Sequence, residues 1–302
     1  MKNIWKPELT LLFIYMLASV ACDSDNDIVD TTAPTIEVKD PAMGEYFDAN
    51  DYAHFEATFV DDLELATYNI EIHDNFGGHS HGRIAATNDD PSLIKWSYKE
   101  SFLIPEGLTL FQAELEDEIE IPANVMAGPY HFIVQAIDKA GNATSFQDDS
   151  AVELEIYINN DSQSQINITN LEDDELEIEA GLLFMVEGEV SDPTTGEYAG
   201  MHSINIYLGE GSHEDHDHNH GGRIAEVDLI DSYFEEAELQ QFMVDENIIL
   251  DKIFEHINFT LSQDELNELV DEEVDYLLLT ITVADEQGNI TVSNIDVHVH
   301  MD

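Results

Sequence analysis

Cysteine and positive charge are scarce in this chain. Its 302 residues include one cysteine, and 9 lysines and arginines stand against 66 aspartates and glutamates, for a formal net charge of -57 at pH 7. A single cysteine excludes a disulfide within the chain, so burial of apolar surface must stabilise the fold. The negative charge excludes nucleic acid as a partner and favours the attraction of cations.

Motifs of common catalytic chemistry are also missing. The sequence has no Gly-x-Ser-x-Gly elbow, no phosphate-binding glycine loop and no His-Glu-x-x-His. Its acidic residues are spread over the whole length, as on a solvated surface, so neighbouring carboxylates are expected by chance. We therefore predict a protein that is not an enzyme.

Residues 1–21 have the pattern of a secretory signal peptide. Lys2 and Lys6 come before an apolar run at 11–20 that is too short to predict a membrane span. The only cysteine, Cys22, follows directly, and the segment resembles a lipobox, whose cysteine is lipidated and becomes the first residue of the mature protein. The alternative is an ordinary signal peptide followed by a chance cysteine.

Residues 22–32 form an acidic tether. Acidic residues just after the lipidated cysteine resemble an export signal of Bacteroidetes lipoproteins. That resemblance implies a lipid-anchored protein in the outer membrane that faces the cell exterior.

Beyond the tether, polar and apolar residues alternate with the two-residue period of half-buried strands. This pattern predicts strands at residues 35–38, 53–59, 68–72, 130–136, 182–190, 203–207 and 277–283. The order of these segments is similar in the two halves of the chain. We therefore predict an all-β fold of two tandem antiparallel sandwich domains, at residues 33–159 and 160–302.

Two details refine this prediction. The Tyr-x-Phe-x-Val-x-Ala-x-Asp-x-x-Gly-Asn pattern that starts at Tyr130 resembles the end of bacterial immunoglobulin-like domains. In the second domain, residues 232–244 have helical apolar spacing, and Ser262 with Glu265 resembles a capping box that opens a short helix through Leu269. We therefore expect immunoglobulin-like sandwiches, the second with short helical inserts.

A histidine motif occurs once in each half. The first copy has His79 and His81 before Gly-Arg-Ile-Ala, and the second has His218 and His220 before Gly-Gly-Arg-Ile-Ala. In an extended segment, residues i and i+2 project to the same side, so each pair can chelate one ion. We predict a metal site in each loop.

Each site needs further ligands. His73 is the nearest candidate in the first copy, while His213 and His216 can complete the second. Nitrogen ligands with nearby carboxylates and no thiolate favour zinc, with copper or nickel as alternatives. Calcium at Asp61 and Asp62 is a further alternative.

Interpretations without a specific metal site remain open for several of these residues. The run from 213 to 220 is also compatible with a solvated, low-complexity loop that binds metal adventitiously. Arg83 and Arg223 are interpreted as ion-pair anchors of the loops. The other histidines are interpreted as structural, namely His54, His131, His298 and His300.

The order of these segments resembles a family of Bacteroidetes surface lipoproteins whose domain is catalogued as being of unknown function. Our first hypothesis is a lipid-anchored protein that captures zinc and passes it to a TonB-type outer-membrane receptor. The alternative is an immunoglobulin-like adhesion or accessory module for a protein or glycan, with the His loops structural or adventitious.

Overall fold

The computed structural model describes residues 29–77, 90–210, 228–271 and 276–300. The chain divides into an N-terminal unit, Met1–Thr31, and a larger unit, Thr32–Asp302. The predicted signal peptide and Cys22 lie outside the described residues. Within the ranges given above, we find no helix that is long and apolar enough to cross a bilayer.

The first half of the larger unit is built from eight described strands: β1 Thr35–Asp40, β2 Tyr46–Asp48, β3 Tyr52–Val60, β4 Leu65–Asp74, β5 Ser97–Leu103, β6 Leu110–Glu120, β7 Gly128–Asp138 and β8 Val152–Asn159. They form one sheet in the order β1-β3-β6 and another in the order β2-β8-β7-β4-β5. Neighbouring strands are antiparallel except for β2 and β8.

The second half has nine described strands: β9 Gln165–Ile168, β10 Leu176–Glu179, β11 Gly188–Ser191, β12 Met201–Glu210, β13 Asp228–Glu235, β14 Met243–Val244, β15 Asn247–Ile249, β16 Tyr276–Asp285 and β17 Ile290–His300. Its sheets have the orders β10-β17-β16-β12-β13 and β14-β15-β11-β9. Three α-helices accompany them in the described residues: α1 Glu236–Leu239, α2 Leu250–Ile257 and α3 Gln263–Asp271; a 3₁₀-helix, Gln240–Phe242, follows α1.

Each half buries its own apolar core between its two sheets. In the first, Phe55 and Phe59 of β3 stack on Tyr68 of β4, with ring centroids 6.0 and 4.8 Å apart. In the second, inward side chains of β12, β16 and α2 belong to one apolar cluster, in which Ile253 and Phe254 of α2 are fully buried. This alternation of inward apolar and outward polar residues confirms the predicted all-β sandwich fold.

Two local predictions were wrong. The strand predicted at residues 182–190 begins only at Gly188, since Phe184 and Val186 reach the core from irregular backbone. The helix predicted at 232–244 is shorter than expected, because Phe234 lies in β13 and only residues 236–242 are helical, as α-helix Glu236–Leu239 and 3₁₀-helix Gln240–Phe242. Both segments contain apolar residues that face the core. The spacing of these residues along the sequence resembled that of a longer regular element.

The predicted capping box is confirmed. The backbone N–H of Ser262 donates to Glu265 Oε2 at 2.7 Å, and the Glu265 N–H donates to Ser262 Oγ at 3.2 Å. These reciprocal bonds satisfy donors at the start of α3 that have no partner inside the helix.

The strand registers show that the two halves repeat one pattern. In the first, β4 pairs with β7 from Leu65 opposite Asp138 onward, with a bulge after Leu65. In the second, β12 pairs with β16 from Met201 opposite Asp285, with a bulge at the same place. Counting from these pairs, Gly209 occupies the place of His73.

A tight turn closes β16 onto β17 and fastens the second sandwich to the first. Asp285 Oδ1 accepts the N–H groups of Gln287 and Asn289, both at 2.9 Å. Asn289 Oδ1 in turn accepts from the Ala127 N–H at 2.9 Å and from Asn160 Nδ2 at 2.8 Å.

The following residue enters the first core. Ile290 donates its N–H to the Ala127 carbonyl at 2.8 Å, and its side chain, only 3% exposed, belongs to the apolar cluster of the first sandwich. Apolar burial and buried hydrogen bonds therefore coincide at the joint between the sandwiches.

Replacing Asn289 tests this joint. Asn289→Ala leaves the buried Ala127 N–H without its acceptor, so we expect the free energy of unfolding to fall by about 2–4 kcal/mol. Asn142→Ala is the matched control, because Asn142 makes the corresponding bonds to Asp138 in the first sandwich. Urea denaturation of both variants should show a smaller loss for the control, and equal losses would contradict a role for Asn289 in the joint.

The burial of Asp285 predicts a pH dependence. Burial raises the pKa of this carboxyl to about 6, against the lowering effect of its hydrogen bonds. The folded state therefore holds a proton that the unfolded state releases, and stability falls by about 3 kcal/mol as pH rises from about 4 to 6. In Asp285→Asn this contribution should vanish from denaturation curves measured across that range. A difference between variant and wild type that does not change with pH would contradict the prediction.

Candidate metal site

The predicted ligand His73 lies near the end of β4, on the outer face of its sheet. Ile70 and Ile72 of the same strand are fully buried, so the alternation turns Glu71 and His73 away from the core. The other two predicted ligands of this site, His79 and His81, lie outside the described residues, which end at Gly77 before this segment. The strand thus brings His73 to the start of the predicted loop.

A second histidine faces His73. In the ladder between β4 and β7, His73 is directly opposite His131, and the two ring centroids are 5.3 Å apart. Two imidazoles bound to one tetrahedral zinc have centroids about 5 Å apart, given a Zn–N distance of about 2.0 Å. The backbone therefore already holds the two rings at a spacing suited to a shared ion.

Each of the two rings has a glutamate beside it. His131 Nδ1 contacts Glu153 Oε1, and Glu71 Oε1 lies 3.9 Å from His73 Nδ1. In a neutral imidazole, an Nδ1–H that donates to a carboxylate places the lone pair on Nε2. Glu153 is therefore positioned to orient His131 in the way that carboxylates orient metal-binding histidines.

One atom of this cluster is poorly satisfied. The His73 side chain is 40% exposed, but its Nδ1 atom is turned inward, where it has no hydrogen-bond partner among the described residues. A buried polar atom without a partner costs about 1–3 kcal/mol. An ion bound to His73 Nδ1 would give this atom a partner and remove the cost.

The far side of the cluster is fixed by Glu155, opposite His131 on β8. Glu155 accepts from Asn75 Nδ2 at 2.8 Å and from the Tyr157 hydroxyl at 2.7 Å. Burial, and then the neighbouring Glu155, raises the pKa of Tyr157, so its hydroxyl stays protonated and donates. These two hydrogen bonds fix the Glu155 side chain beside the cluster.

Contacts with other segments hold the chain on both sides of the first histidine loop, before residue 78 and after residue 89. Asn75 donates its N–H to the Pro129 carbonyl at 2.9 Å, and a Cβ added at Gly128 would come within 2.5 Å of the Phe76 ring. After the loop, the Asp90 N–H donates to the Gln287 carbonyl at 3.0 Å. The loop therefore starts on the first sandwich and ends on the turn of the second.

The second histidine segment joins the corresponding strands of the other sandwich. It leaves β12 at Glu210 and returns at Asp228, whose Oδ1 accepts from the Tyr207 hydroxyl at 2.5 Å. The ligands predicted there lie outside the described residues, namely His213, His216, His218 and His220. This stem is at the end of β12 opposite the joint, so the ten-residue strand separates the two stems by roughly 30 Å.

The base of the second loop lacks the histidine pair. Gly209 stands in the place of His73, and Leu278 stands opposite it in the place of His131. Only the first sandwich therefore presents two imidazoles beneath its predicted loop.

The other residues named from the sequence add nothing to the cluster around His73 and His131 in the described part of the chain. His54 is exposed in β3, and Arg83 and Arg223 lie outside the described residues. Asp61 is buried, and its Oδ1 closes a turn by accepting from the N–H groups of Leu63 and Glu64 at 3.1 and 2.7 Å. The calcium alternative stays a prediction.

His131 is the residue that the sequence interpretation passed over. Its alternation with buried neighbours correctly placed it on a strand, but alternation does not say which strand lies beside it. Antiparallel pairing sets the end of β4 beside the start of β7, and this places His131 next to His73.

Comparisons with known proteins concern mainly the fold. Residues 20–157 match the model of a family described as Domain of unknown function (DUF4625), which covers the first sandwich. No curated protein matches the chain.

Solved structures similar to this chain contain fibronectin-like or immunoglobulin-like modules. The fibronectin(III)-like modules of Clostridium thermocellum CbhA are 10% identical, with 88% of this chain and 94% of that chain covered and a TM-score of 0.23. The tandem V-type regions of VCBP3, a v-region-containing chitin binding protein, are 9% identical, with coverage of 89% and 100% and a TM-score of 0.28. At this level the likeness concerns the all-β sandwich fold alone.

Proposed function

We propose that this protein is a lipid-anchored cell-surface protein that binds a transition metal, zinc first, between His73 and His131. The observation that carries the proposal is the pair of imidazoles, 5.3 Å apart on adjacent strands, where the predicted His loop begins. His79 and His81 of that loop are the ligands proposed to complete the site.

The chemistry of the cluster favours a metal over a purely structural pair. Two facing imidazoles gain little from each other unless one is charged or an ion lies between them, and here Nδ1 of His73 has no hydrogen bond. Glu153 supplies the carboxylate that commonly orients a ligating histidine. Nitrogen ligands with outer carboxylates suit zinc, copper(II) or nickel better than calcium or magnesium.

The charge of the protein supports capture of a cation. A formal net charge of -57 raises the local concentration of cations and increases their rate of association. Anchored through Cys22, the protein would hold its ion at the membrane surface, where we propose that it delivers the ion to a TonB-type receptor.

A double substitution tests the site. In His73→Ala with His131→Ala, two ligands are lost, and we expect the affinity of the purified protein for zinc at this site to fall by more than about a hundredfold. Isothermal titration calorimetry measures the loss, and far-UV circular dichroism checks that the variant is folded.

The matched control is His54→Ala, which removes an exposed histidine from β3 of the same sandwich. Its zinc titration should be identical to that of the wild type. If the folded double variant also titrates like the wild type, the proposal is wrong.

The orienting role of Glu153 gives a milder prediction. Glu153→Gln keeps the size and an acceptor oxygen but removes the charge beside His131 Nδ1. We expect zinc affinity to fall by about tenfold with unchanged stoichiometry, as for other outer carboxylates. An unchanged affinity in a zinc competition assay would show that Glu153 does not orient a ligand.

A further inference from the structure

We propose a second transition-metal site on the second sandwich, formed by His298 and His300 of β17 and Glu177 of β10. It shares no residue with the cluster around His73 and His131, and it does not depend on the function proposed above. All three of its residues lie in the described part of the chain.

Strand geometry puts the three side chains on one surface. Val297 and Val299 of β17 are buried in the second core, so His298 and His300 project to the outer face. The parallel pairing of β10 with β17 sets Glu177 directly opposite His298. A pair of histidines two residues apart and a carboxylate on the neighbouring strand are thus held side by side.

The distance between His300 and Glu177 fits two ligands of a common ion. His300 Nε2 lies 3.1 Å from Glu177 Oε2, and the rings of His298 and His300 have centroids 5.6 Å apart. Ligand atoms on a tetrahedral zinc are about 3.3 Å apart, and two ligating imidazoles have centroids about 5 Å apart. As the side chains stand, the ligand atoms of the three residues are not all within 4.8 Å of one another. The exposed His298 must therefore change its side-chain conformation to join the ion.

The first sandwich shows that this arrangement is not required by the fold. There the strands corresponding to β10 and β17 are β2 and β8, and the same register places Tyr46 opposite Tyr157. Their rings stack with centroids 4.9 Å apart. Where one half of the repeat covers this edge with an aromatic pair, the other half presents metal-binding groups.

A simple ion pair does not account for the cluster equally well. His300 can donate a hydrogen bond to Glu177 as a neutral imidazole or form an ion pair when it is protonated. With side chains 40% and 53% exposed, either contact would contribute little to stability. Asp296, two residues before His298 on the same strand, adds negative charge to that face. Such a surface gains more from a divalent cation than from a protonated histidine.

The test compares zinc stoichiometry among variants of the purified full chain. His298→Ala with His300→Ala should bind one zinc ion fewer than the wild type in calorimetry. His73→Ala with His131→Ala should keep this ion, so failure of one site is distinguishable from failure of the other. Any zinc held by residues 211–227 is common to these proteins and cancels in the comparison.

Two further variants keep the test decisive. Glu177→Gln should weaken the site by about tenfold without disturbing the strand, and His256→Ala, which removes an exposed histidine of α2, should leave the titration unchanged. If the double variant loses cooperative thermal unfolding, His300→Gln replaces it and should lower the affinity. Wild-type stoichiometry and affinity in the folded His298 and His300 variants would overturn the proposal.

Discussion

The docking of the turn around Asn289 onto Ala127 is the interaction on which the arrangement of this protein depends. It joins two apolar cores by hydrogen bonds to buried backbone groups and by insertion of Ile290 into the first core. The same turn receives Asp90, the first described residue after the loop that carries His79 and His81. The joint therefore helps to set the distance between the described ends of that loop, Gly77 and Asp90.

The two halves share one strand arrangement, but they differ in the residues at outward positions. Residues that set the fold recur, such as Asp138 and Asp285 in their turns. The pair of strand histidines does not recur, since His73 and His131 correspond to Gly209 and Leu278. Divergence at outward positions costs little stability, because these side chains are not part of either core.

The sequence predicted much of the local structure, but it did not predict which strands lie next to each other. Two-residue alternation predicted β3, β4, β7 and β16, and the capping box at Ser262 predicted α3, because both signals are local. The helix expected at 232–244 covers only residues 236–242, because core-facing residues of the strands before and after it continued the helical spacing. The pairing of His73 with His131 depends on register between distant strands, which no local pattern encodes.

The most direct test of the central claim is to locate the metal. Crystals grown with zinc and measured at the zinc absorption edge should give an anomalous difference peak between the rings of His73 and His131, about 2 Å from a nitrogen of each. A structure with zinc bound elsewhere in the molecule, and with these two rings placed as they are now and no peak between them, would contradict the account.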